Sequence, residues 1–141
     1  MSIYVNTDNS NPTNKLFNAT KAGKSAAAVE KRMQQTVIDA IGKAPDFNTD
    51  TPGKGYSLRM KVQAETSGRS TKYTVPVEVI RYPSSAAKGG KGEEMVPTTS
   101  RPGSATVEGS SEADLLDAIE ALTQSNVKAS LPVMRIDMTR R

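Results

Sequence analysis

Histidine and cysteine are both absent from the 141 residues. Their absence excludes Ser-His-Asp and Cys-His nucleophilic sites, thiol redox chemistry and disulfides, and it removes nearly all zinc sites. Tryptophan is missing too, and aromatic residues make up 4% of the chain. A surface that stacks single-stranded bases would therefore have to be assembled from a few tyrosines and phenylalanines. No apolar run approaches the roughly 18 residues of a membrane span. The opening MSIYVNTDNSNPTNK lacks the basic start and apolar middle of a signal peptide. The expectation is a soluble, cytoplasmic chain without membrane insertion, specialised export remaining open; the lack of thiols fits a reducing compartment.

Large apolar residues are also scarce. Ile, Leu, Val and Phe number 25, about 18% of the chain, which supports one compact core with long polar segments around it. The charge is uneven: residues 1–70 carry ten basic and six acidic side chains, whereas residues 71–141 carry nine of each. All of the +4 net charge lies in the first half, a distribution that permits an anionic partner.

Residues 1–24 are Asn-rich and read as a polar, mostly flexible N-terminal segment in which Ile3, Tyr4 and Val5 can form a short strand. Residues 25–141 read as a single domain. Ala26, Val29, Met33, Val37 and Ile41 recur at helical spacing, with Ser25 as the expected N-cap, Gly42 as the left-handed terminator and Pro45 beyond it. Glu30, Lys31, Gln34 and Gln35 fall on the polar side of that helix. Tyr56, Leu58, Met60, Val62 and Ala64 then alternate with polar residues, as do Tyr73, Val75, Val77 and Val79. Across Ser67-Gly68-Arg69-Ser70 these two runs predict a hairpin in which paired residue numbers sum to 137. That register sets apolar residues opposite one another and also pairs Glu65 with Lys72 and Arg59 with Glu78. Pro76 cannot donate to a ladder, so the second arm is expected at a sheet edge.

Residues 83–110 are low in complexity, with Gly, Pro, Ser or Thr at 16 of 28 positions, and read as a long flexible loop. Ser111-Glu112-Ala113-Asp114 has the form of a capping box and predicts a second helix over 112–125, ended near Asn126. Met134, Ile136 and Met138 alternate with Arg135 and Asp137, which predicts a third strand over 131–139. The fold class is therefore α+β: a two-layer sandwich in the order α-β-β-α-β, with a possible short N-terminal strand. Two helices would cover one face of a mainly antiparallel sheet ordered two, one, three.

Four basic residues, Arg59, Lys61, Lys72 and Arg135, are expected on the solvated sheet face, where they could contact nucleic acid or another anion beside Tyr56 or Tyr82. Glu65 and Glu78 partly neutralise that face. Gly23-Lys24-Ser25 ends like a phosphate-binding loop, but Asn18 stands where the first glycine is required. Lys88-Gly89-Gly90-Lys91-Gly92 is basic and flexible, and Glu93 and Glu94 follow it directly. The acids Glu108, Glu112, Asp114, Asp117 and Glu120 suit a helix first turn and an exposed helix face. No catalytic constellation, cofactor site or metal site is expected. The resulting expectation is a non-catalytic module that binds another protein or itself, with polyanion binding through the basic sheet face as the alternative.

Overall fold

The hairpin organises the molecule. In the computed structural model, which describes residues 2–49, 55–82, 93–98 and 102–140, its arms are β4 (Gly55–Lys61) with β5 (Gln63–Ser67), and β6 (Ser70–Thr74) with β7 (Val77–Tyr82) in the order of the chain. The register is the expected one throughout: Leu58 faces Val79, Met60 faces Val77, Ala64 faces Tyr73 and Glu65 faces Lys72. The pairing continues to Ser67 and Ser70, which leaves a two-residue turn. Gly68 takes it at φ +62°, a left-handed conformation that glycine adopts without steric cost at this position of a hairpin turn.

Each arm is split in the middle because Pro76 stands opposite Lys61 and has no N–H to return to it; the Lys61 amide reaches the Pro76 carbonyl at only 3.4 Å. Pro76 thus breaks the ladder and does not mark an edge. β7 lies between β4 and β8 (Glu94–Val96), and β6 lies between β5 and β9 (Ser104–Glu108). The hairpin accordingly passes from a large sheet into a small one. Val62 and Val75, both fully buried, occupy the crossing.

The large sheet runs β3-β1-β4-β7-β8, where β1 is Ile3–Asn6 and β3 is Phe47–Asn48; β2 (Phe17–Asn18) also pairs with β4. β1 and β2 lie parallel to β4, β1 matched to Tyr56 and Ser57 and β2 to Met60 and Lys61. They fill the side of β4 that the expected sheet order assigned to a C-terminal strand. The N-terminal segment, expected as mostly flexible, contributes Ile3, Val5, Leu16, Phe17 and Ala19 to the buried core. Its polar residues hold it there. The Asn9 carboxamide accepts from the Phe17 amide at 2.9 Å and donates to its carbonyl at 3.1 Å, imitating a neighbouring strand. Glu30, expected on the polar side of its helix, is buried: it accepts from Lys15 at 2.7 Å and from the Ala19 amide at 3.1 Å.

α1 (Ala26–Gly42) buries Val29, Met33, Val37 and Ile41, as its spacing predicts. Its ends differ from expectation. A 3-10 turn, Thr20–Ser25, leads into it, so Ser25 makes no side-chain cap and instead donates to Glu112 at 2.9 Å. Gly42 is the last helical residue, and Lys43 closes the helix in a right-handed conformation.

The chain beyond β9 is one helix, α2 (Glu112–Thr139), and the strand expected over 131–139 does not form. Ser111 caps it by accepting from the Asp114 amide at 3.3 Å. Its buried stripe, Leu115, Ile119, Leu122, Asn126, Ser130, Met134 and Asp137, keeps helical spacing through Pro132, which lies exposed. Asn126 does not end the helix; it donates to the Val75 carbonyl at 2.5 Å, where the hairpin crosses between sheets. Replacing Asn126 with alanine strands that buried carbonyl, and the expected loss is about 1–3 kcal/mol in urea-unfolding measurements.

Helices α1 and α2 pack against each other and on the apolar side of the sheets, giving an α+β fold whose strand order differs from the one expected. β8 and β9 lie within the stretch expected to be a loop. The Lys88–Gly92 run lies outside the described residues. Among the described residues, no helix is long and apolar enough to cross a membrane.

Candidate partner-binding groove

In an antiparallel hairpin, successive residues direct their main-chain groups alternately toward the partner strand and away from it. The bonds along β4 fix which residues do which. Lys61 donates inward to Pro76, whereas Met60 donates outward to the Leu16 carbonyl at 2.7 Å and Val62 outward to the Asn18 carbonyl at 2.8 Å. The unbroken register carries this alternation into β5, so Ala64 and Thr66 also direct their N–H and C=O groups outward. Beyond Asn18, however, the chain turns away into the 3-10 segment at Thr20. Among the described residues, nothing pairs with the outward main chain of Ala64 and Thr66.

A groove of about 410 Å³ lies beside this open edge, lined by Lys21, Lys61, Gln63, Ala64, Glu65, Lys72 and Thr74. Lys21, Lys61 and Lys72 are exposed, and among the described residues none of them forms an ion pair. Glu65 is the single acid in the lining. Three cations against one carboxylate give the groove a positive field without an aromatic platform.

Two of the four expected contact residues, Lys61 and Lys72, therefore come together, and two do not. Arg59 is on the same strand as Lys61 but binds Glu93 at 2.7 Å and stands opposite Glu78. Arg135 is on α2 instead of a strand, which places it in the helical layer; it binds Asp46 at 2.7 and 3.0 Å and lies 5.2 Å from the centre of the Phe47 ring. Tyr56 is fully buried and donates its hydroxyl to Asp137 at 2.5 Å, so it offers no surface for stacking. Tyr82 accepts from Ser57 and donates toward Glu93. Lys21, absent from the sequence-based set, joins the groove because the 3-10 turn carries it alongside β5.

The acidic run is drawn to the other helix: Arg32 on α1 reaches Glu120 at 3.1 Å and Asp117 at 3.7 Å. The hydrogen bond from Arg135 also holds the Asp46 carboxyl below its ordinary aspartate value. Stability from that pair is present above the unfolded pKa and is lost as pH falls through the lowered folded value. Asp46→Asn is expected to lower stability slightly at neutral pH and to converge with the parent chain in acid, so that its stability falls less as pH drops below about 4. Urea midpoints across that range check it.

No protein-family model matches this chain, and neither does any curated protein or solved structure.

Proposed function

We propose that the chain is a non-catalytic binding module that engages a protein partner through its small sheet. One observation carries this reading: of the fifteen residues in β5, β6 and β9 only Val107 is buried, eight are exposed and six are half-buried. Strands that contribute so little to the core are available as a recognition surface, and among the described residues both outer strands, β5 and β9, have a side that pairs with no other strand. A small polar sheet also suits a transient partner, since it does not expose a large apolar patch when free. A cytoplasmic location belongs to the same reading, supported by the absence of cysteine.

Polyanion binding has less behind it. Arg59 and Arg135 are neutralised by Glu93 and Asp46, and the groove that keeps Lys61 and Lys72 has no ring on which a base could stack. Photo-crosslinking groups placed at Thr66 and Thr106 on the small sheet, and at Gln35 on the exposed side of α1, test the choice. The reading expects adducts from the sheet positions whose digests yield one defined partner peptide, with none from Gln35. Nuclease-sensitive adducts at Thr66 would replace it with the nucleic-acid reading. Adducts between copies of this chain would make the contact self-association.

A further inference from the structure

We infer that the open edge of β5 receives an extended acidic segment of another protein, which pairs with the main chain of Ala64 and Thr66 and sets its carboxylates against Lys21, Lys61 and Lys72. This rests on the binding-module reading and names the place and the chemistry. β4 and the Val62 that follows it have an ordered edge partner, supplied by Leu16 and Asn18, and among the described residues the continuing strand then presents two further residues in the same direction with no partner. An added strand would extend an existing ladder in line with β2, a pairing that the geometry of β4 and β5 already prepares.

The lysines decide which segment. Their unpaired positive charge beside the edge favours carboxylates at alternate positions along an extended chain, because side chains on one face recur at every second residue. The same charge disfavours a second copy of this chain: edge-to-edge pairing of two β5 strands would bring the two lysine sets together. It also separates a peptide from an oligonucleotide, which can use the charge but has no main-chain ladder to offer Ala64 and Thr66.

The test is titration of the isotope-labelled full chain with a short blocked peptide of alternating glutamate and valine, followed by amide NMR. Expected are shifts at Ala64 and Thr66, with slowed exchange of both amides, and loss of binding when alternate peptide nitrogens are methylated. Thr66→Pro removes one outward N–H from an edge position, where proline is compatible with the sheet, and is expected to weaken the peptide by about tenfold or more. Lys61→Glu with Lys72→Glu is expected to do the same without touching the main chain, and keeps the test decisive if the proline variant unfolds. Shifts at Ser104–Glu108 with Ala64 and Thr66 unmoved would put a peptide on β9, overturning this inference and leaving the binding-module reading in place. Short oligothymidylate binding at the lysines, with the glutamate peptide inert, would overturn both. The absence of any peptide-induced shift in the small sheet would overturn the acidic-strand assignment, while a defined crosslinked partner would still uphold the broader reading.

Discussion

Gly55→Ala is expected to lower stability by about 2–5 kcal/mol, combining backbone strain with overpacking at a fixed neighbour. Gly55 opens β4 at φ +84°, a conformation that side-chain-bearing residues rarely adopt. A Cβ there would stand 2.3 Å from the Tyr4 carbonyl oxygen and 3.1 Å from its carbon. Those are backbone atoms of β1, which is held on both sides by β3 and β4, so they cannot swing away as the end of a side chain could. Relief requires β1 to separate from β4 near the Val5 and Tyr56 pairing, the join through which the N-terminal segment enters the sheet. Gly42→Ala is the matched control. It has open space around the added carbon and no positive φ, and is expected to stabilise α1 by about 0.5–1 kcal/mol. Urea unfolding of both variants checks the pair of signs.

Asp137→Ala is expected to cost about 2–4 kcal/mol, somewhat less than a wholly buried ion pair because Arg81 retains some solvent. The Asp137 side chain is 9% exposed, and it accepts from the Tyr56 hydroxyl and from Arg81, whose own side chain is 24% exposed. Glu94 beside it, followed by Asp137, raises the Arg81 guanidinium above its ordinary pKa. Alanine would leave both the buried phenol and the arginine short of an acceptor where α2 meets the large sheet. Asp137→Asn keeps the shape and one acceptor oxygen, so its loss should be smaller. A double-mutant cycle with Arg81→Met isolates the charge contribution. Equal losses for the two Asp137 variants would show that the charge accounts for the whole effect, whereas no loss for Asp137→Asn would show that the charge has no role.

The same residue shows why the C-terminal helix is hard to read from sequence. Met134, Ile136 and Met138 alternate, but Ile136 is exposed and the buried stripe runs through Ser130 and Asp137. Polar side chains thus occupy core positions of the helix, and apolarity alone gives the wrong period. The N-terminal segment conceals its packing similarly: Asn9, Lys15 and Glu30 tie down a stretch whose composition resembles a loose tail. β8 and β9 are short and place only Val96 and Val107 in buried positions, which leaves little periodicity within a Gly, Ser and Thr background.

The hairpin register is legible because two independent patterns, apolar and charged, agree on a single sum. That register also fixes the outward direction of Ala64 and Thr66 once a single outward bond is known. Lys61 and Lys72 are legible as exposed cations for the same reason. The release of Arg59 and Arg135 from the candidate surface is not, since their partners Glu93 and Asp46 arrive from distant segments. Lys21 depends on a turn that no alternation announces.

Amide hydrogen exchange of the free chain, resolved residue by residue along β5, tests the open edge most directly. The structure predicts alternation, with Gln63, Glu65 and Ser67 slowed by their bonds to β6 and Ala64 and Thr66 exchanging fast. Uniform protection from Gln63 to Ser67 would mean that this edge is already covered, and would contradict the account.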